Sequence, residues 1–114
     1  MARTVLVVDD SAAFRATARV LLSARGYDVV GVADSVAGGL AAARELKPDA
    51  VLLDVNLPDG DGLSAAGAFD AHVVLVSTLD EDELGDALAG SGARGFVGKA
   101  QLASPLLVEL LGPP

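Results

Sequence analysis

The chain has 114 residues, 52% apolar, 21% charged and only 4% aromatic, with a formal net charge of −8 and no cysteine. That length holds one domain, residues 1–114, burying about two thirds of its unfolded surface, and the composition excludes a disordered chain. The missing thiols exclude disulfides and thiolate metal sites, while the acidity argues against direct binding to a nucleic-acid phosphate backbone.

The chain opens Met1-Ala2-Arg3-Thr4 and runs into Thr4–Val8 (TVLVV), which reads as a strand buried on both faces. This run stops at two aspartates and is too short for a secretion signal or a membrane span, so a cytoplasmic protein with no membrane contact is expected. Ala12 to Arg25 follows with Phe14, Ala18, Leu21 and Leu22 at helical spacing, and Gly26 stands where a helix C-cap belongs. Tyr27 to Val32 is a second strand. Ser35 can cap a helix to about Leu46, which Lys47-Pro48 closes. Ala50 to Leu53 is a short third strand.

After Asp54 the stretch VNLPDGDG is a loop by composition, with Pro58, Gly60 and Gly62 as punctuation and Asp59 and Asp61 as solvated acids. A brief helix from Leu63 to Phe69 leads to a fourth strand, His72 to Val76. Asp80 with Glu83 forms a capping box for a helix to about Ala89, placing Leu84, Ala87 and Leu88 on one face. Gly95 to Gly98 is a short fifth strand or its end, and Ser104-Pro105 starts the last helix with proline at its tolerated first position. Strands alternating with helices in this way make an α/β fold of parallel βαβ units with helices on both faces. Strand order is left open by the residues themselves.

In an open parallel sheet, ligands bind beyond the carboxyl ends of the strands. Strand one ends in Asp9-Asp10, strand three in Asp54 and strand four in Ser77-Thr78, while Lys99 directly follows strand five. Clustered carboxylates raise the electrostatic energy unless a cation sits among them. Oxygen donors with neither His nor Cys point to a hard ion, Mg2+ ahead of Zn2+.

This pattern resembles the receiver domain of bacterial response regulators over essentially the whole chain, from Val5 to the last helix. The resemblance implies a flavodoxin-like doubly wound sheet of five parallel strands, order 2-1-3-4-5, with five helices, the third of them shortened. It implies Asp54 as phospho-acceptor, Mg2+ held by Asp9, Asp10, Asp54 and the backbone carbonyl of Asn56, and Lys99 pairing with phosphate and carboxylate. Ser77 is similar to the family's switch hydroxyl, with Thr78 a rival, and Phe96 to its rotating aromatic. A phosphate-drawn Ser77 would let Phe96 turn inward and change the surface of the fourth helix, fifth strand and fifth helix. Asn56 and Leu79 flank the path of attacking water and are expected to tune the lifetime of the phosphorylated state. The implied partners are a sensor histidine kinase, a DNA-binding output domain or protein, and a second copy in a phosphorylation-favoured homodimer.

Ala100 follows Lys99 where many members carry a cis-bonded proline, which resembles receivers attached to helix-turn-helix domains of the nitrate-response type. The stretch between Asp54 and Ser77 is shorter than the family usually has. Two other readings compete with this one. A phosphatase of the haloacid dehalogenase type needs an acid two residues after its Asp nucleophile, and Asn56 cannot serve. A pseudo-receiver would keep the fold and act as a phosphorylation-independent interaction or dimerisation module. The loop imitates an EF-hand opening, but Pro58 takes a ligand position and no glutamate closes it. His72, the one histidine, reads as a surface residue.

Overall fold

The computed structural model describes residues 2–78 and 84–114. Five parallel strands form one sheet: β1 (Thr4–Val8), β2 (Asp28–Ala33), β3 (Ala50–Asp54), β4 (His72–Ser77) and β5 (Gly95–Gly98). Their spatial order is β2-β1-β3-β4-β5, so the chain winds outward both ways from β1. The register sets Val8 beside Leu53, Asp54 beside Val76, and Ser77 beside Gly98. The carboxyl ends therefore line up along one edge, which is where the chemistry-bearing residues were expected.

Five α-helices cover the sheet among the described residues: α1 (Ala12–Ala24), α2 (Val36–Leu46), α3 (Gly62–Ala65), α4 (Asp86–Ala89) and α5 (Pro105–Leu111). Period-2 alternation along the strands splits the core in two. Val5, Val7, Leu52, Val74, Val76 and Val97 face α1 and α5, where they pack on Ala18, Leu22, Leu107 and Leu111. Leu6, Val8, Val51, Leu53, Val73 and Leu75 face α2, α3 and α4, meeting Leu40, Leu63, Phe69, Leu84 and Leu88. Almost continuous apolar strands are what a sheet covered on both sides requires.

Local chemistry explains most boundaries. Ser11 caps α1, its hydroxyl accepting from the Phe14 N–H at 3.2 Å, and Gly26 follows at φ +97°, a conformation glycine reaches without strain. Ser35 caps α2 in the same way through the Gly38 N–H, and Lys47 closes it in the left-handed region at φ 48°. Three details differ from the sequence reading. Residues 56–61 are not plain loop: Asn56–Leu57 and Gly60–Asp61 pair as a two-stranded hairpin, too short to leave an alternation signal. Asp59 and Asp61 are exposed but occupied. Asp59 accepts the Val36 and Ala37 N–H groups at the start of α2, and Asp61 caps α3 through the Leu63 N–H. Ala87 is exposed, so α4 packs through Leu88 without it, and Leu84 packs from just before the helix, ahead of Gly85.

The third helix is shortened as expected. One α-helical turn passes into a 3-10 turn over Ala66–Ala68, and Phe69 leaves it extended and buried. His72 is exposed at the start of β4, where its Nδ1 lies 2.8 Å from the Arg3 guanidinium. The capping pair Asp80 and Glu83 and the residue Leu79 lie outside the described residues. No helix is long and apolar enough to cross a membrane among the described residues.

Candidate functional site

Asp9 continues the β1 face that carries Val5 and Val7, so its carboxylate is driven into the protein and is fully buried. Oδ1 accepts the Ser11 N–H at 2.8 Å, and Oδ2 lies 2.7 Å from the Lys99 ammonium. The Arg15 guanidinium donates to the Asp9 carbonyl at 2.7 Å, pinning the turn between β1 and α1. Asp10 is one residue on and exposed. Lys99 lies two residues beyond Val97 on the same face and reaches back across the edge, 3.5 Å from Asp54 Oδ2.

Asp54 is the last residue of β3 and is 4% exposed. Its Oδ1 faces the Asn56 N–H at 3.3 Å, so the hairpin's first residue turns a donor toward the carboxylate. Behind it the chain is locked by Gly62, whose N–H donates to the Val55 carbonyl at 2.8 Å. A Cβ on Gly62 would collide with the Asp54 carbonyl oxygen and stand 2.9 Å from the Asp54 carbonyl carbon. No side chain fits there.

Ser77 and Thr78 are separated by burial. Ser77 is 1% exposed, whereas Thr78 is exposed beyond the strand end. Ser77 continues the β4 face of Val73 and Leu75, opposite to the face of Asp9, Asp54 and Lys99. Phe96 sits on that same opposite face, paired with Leu75 and so diagonal to Ser77, and its ring packs into the second core cluster. Asp9, Asp10, Asp54, Ser77 and Lys99 thus lie at the carboxyl edge, with Ser77 on the side of the sheet opposite to Asp9, Asp54 and Lys99.

Burial is the larger cause holding the Asp54 carboxyl above the ordinary carboxylate range, and the neighbouring Asp9 charge adds to it. Lys99 and the Asn56 N–H pull the other way without overcoming them. A carboxyl easier to protonate when folded than when unfolded favours the fold at low pH, and that stability is lost as pH rises through the raised value. Asp54→Asn is therefore expected to raise Tm by a few degrees at pH 7, with the gain shrinking as pH falls toward ~4. Thermal melts across that range check this, and an unchanged or lower Tm at pH 7 contradicts it.

Carboxylate oxygens of Asp9, Asp10 and Asp54 lie within 4.8 Å of one another. Among the described residues, three carboxylates face a single contacting ammonium, so the cluster carries surplus negative charge at a partly buried edge. The donors are hard oxygens, and a fully buried Asp9 next to an exposed Asp10 gives a wall and an entrance. These residues fit a hard divalent cation such as Mg2+.

One neighbour went unnoticed in the sequence as part of the site. The Lys99 ammonium stands over the Phe14 ring, 4.5 Å from its centroid. Helical spacing marks Phe14 only as a core residue, and nothing in the order of residues announces a contact between positions so far apart.

Residues 5–111 match the family model described as "Response regulator receiver domain". The response regulator GacA of Pseudomonas viridiflava is 43% identical over 101 residues, covering 83% of this chain and 47% of GacA. Protein-glutamate methylesterase/protein-glutamine glutaminase 5 of Myxococcus xanthus is 44% identical over 116 residues, covering 95% of this chain and 33% of that protein. The chain thus spans a third to a half of the length of these curated relatives. Among solved structures, the signal receiver domain of NarL from Mycobacterium tuberculosis superposes with a TM-score of 0.84 at 30% identity, covering 97% of this chain and 98% of that one. The response regulator domain of Thermotoga maritima CheB gives a TM-score of 0.82 at 27% identity, covering 96% and 94%.

Proposed function

The chain belongs to the response regulator receiver domain family, and we propose that it is a single receiver domain, residues 1–114, that accepts a phosphoryl group on Asp54 from a sensor histidine kinase or a small phosphodonor. The observation that carries this reading is the meeting of Asp9, Asp10, Asp54 and Lys99 at the carboxyl edge of the sheet. An Asp54 carboxylate oxygen attacks phosphorus in line. A new P–O bond forms as the P–N bond of a phosphohistidine, or the P–O bond of an acyl phosphate, breaks and its electron pair leaves with the donor. Mg2+, when bound, supplies positive charge for the transferring oxygens and would be held by Asp9, Asp10, Asp54 and the Asn56 carbonyl.

The chain's own residues do the positioning. Gly62 and the Asn56 N–H fix the Asp54 backbone and carboxylate, and Lys99 brings an ammonium to the oxygens where charge accumulates. No general base is needed, because the nucleophile is a carboxylate. The acyl phosphate formed is labile, as a decaying signal requires, and Asn56 and Leu79 tune its lifetime. The domain catalyses only its own phosphorylation and dephosphorylation.

Ser77 is the switch hydroxyl, its burial at the end of β4 favouring it over Thr78. When phosphate draws Ser77, space opens on the face it shares with Phe96, and inward rotation of that ring alters the surface of α4, β5 and α5. That surface serves a DNA-binding output domain or protein, and a homodimer favoured by phosphorylation. The meeting of Asp9, Asp10, Asp54 and Lys99 supports the phospho-accepting reading over a phosphorylation-independent module. The test is chemical: exposure to acetyl phosphate and Mg2+, then borohydride reduction of the acyl phosphate, should convert residue 54 to homoserine. Conversion at another residue would overturn the assignment.

A further inference from the structure

Four contacts close a loop around the ammonium of Lys99. Asp9 Oδ1 accepts the Ser11 N–H, and the Ser11 hydroxyl accepts the Phe14 N–H. The Phe14 ring lies beneath Lys99 Nζ, and Lys99 Nζ returns to Asp9 Oδ2. The first turn of α1 is thereby tied to the end of β1 by its cap, and its aromatic ring is held at a fixed height beside the acceptor edge. The ring is half-buried against the first core cluster, so its freedom to turn away is small.

A lysine ammonium on a four-carbon stem has several rotamers and no intrinsic reason to wait at one carboxylate. Its two ionic partners here, Asp9 and Asp54, are the same carboxylates that would turn toward a bound cation, and on phosphorylation the negative charge at Asp54 moves from its carboxylate out to the phosphoryl oxygens. Both ionic contacts are therefore competed for during the reaction. The ring face is not: a divalent ion coordinated by oxygen has no use for it, while an ammonium is drawn to it by the ring quadrupole.

We propose that Phe14 is a positioning residue for phosphoryl transfer, keeping the Lys99 ammonium at the acceptor edge when Asp9 and Asp54 engage a cation. The inference rests on the reading of Asp54 as acceptor and of Lys99 as the neutralising group. Phe14 touches neither phosphoryl group nor metal and acts only through Lys99.

The test replaces Phe14 in the full chain with phenylalanines carrying one, two or three ring fluorines, which weaken the cation–π attraction stepwise at nearly constant volume. The rate of Asp54 phosphorylation by acetyl phosphate with Mg2+ is followed by intact mass. The rate should fall stepwise, by about three- to tenfold across the series, with Phe14→Leu equally slow and Phe14→Tyr restored. In parallel, NMR should find the Lys99 ε-methylene protons shifted upfield by the ring, with and without Mg2+, and the shift lost in Phe14→Leu. A flat fluorine series in a protein that labels normally overturns the inference alone, as does loss of the upfield shift when Mg2+ is added. A wild-type protein that takes no phosphoryl group overturns the acceptor reading and this inference with it.

Discussion

Lys99→Met is expected to lower stability by about 3 kcal/mol at neutral pH and to slow phosphorylation of Asp54 by about 10²–10³-fold. Both effects come from one geometry. Asp9 is fully buried, and its Oδ2 faces the Lys99 ammonium at 2.7 Å. Methionine fills the volume of the lysine stem but leaves a buried carboxylate beside a second carboxylate with no ammonium between them. Asp9→Asn on the same background should restore most of the loss. Urea denaturation of the three proteins checks the stability claim. Equal stability of wild type and Lys99→Met would show that water shields Asp9 and that the pair contributes little.

Gly62→Ala should be more damaging than any other single-methyl addition at this edge. The new Cβ meets the Asp54 main chain, not the flexible tip of a side chain, and it does so directly behind the acceptor. Relief requires moving β3 or the hairpin, so the loss is expected to be at least about 3 kcal/mol, with phosphorylation lost in whatever remains folded. Gly60→Ala is the matched control two residues away. Its Cβ would meet the Val36 side chain, with Cγ2 nearest at 3.3 Å, and a shift of a few tenths of an ångström absorbs that. Circular dichroism melts of the two variants separate the cases, and similar Tm values would contradict the argument.

These two residues also mark how far the sequence could be read. Lys99 was legible because it follows a strand end, and a parallel sheet brings strand ends together whatever lies between them. Gly62 was legible as turn punctuation, but its function as the one residue able to lie against the Asp54 carbonyl depends on a contact no local pattern encodes. β1 was readable to the residue because its apolar run ends abruptly at Asp9, while the four residues Gly95–Gly98 left open whether they were the whole of β5 or its end. α1 was readable from the helical spacing of its apolar residues and the Gly26 that follows it, and α2 because Ser35 announces its start.

What escaped was set by tertiary contact. The hairpin at residues 56–61 has two residues per strand, too few for period-2 alternation to register. Asp59 passes for a solvated loop acid until folding brings it under the first N–H groups of α2, from where it also keeps its carboxyl below the ordinary range. Strand order followed from family resemblance and not from the residues themselves. The division of the edge into two faces, with Asp9, Asp54 and Lys99 on one and Ser77 and Phe96 on the other, became visible only with the register of β4 and β5. That division gives the proposed switch its physical form: chemistry on one side of the sheet is read by a ring on the other.

The central claim is that Asp54 takes a phosphoryl group in a cation-dependent reaction. Intact mass after incubation with acetyl phosphate and Mg2+ tests it most directly, with EDTA and Asp54→Ala as the two controls. The account predicts one added phosphoryl group, absent in both controls. Failure of the wild-type protein to gain mass, or an undiminished gain in Asp54→Ala, would contradict it.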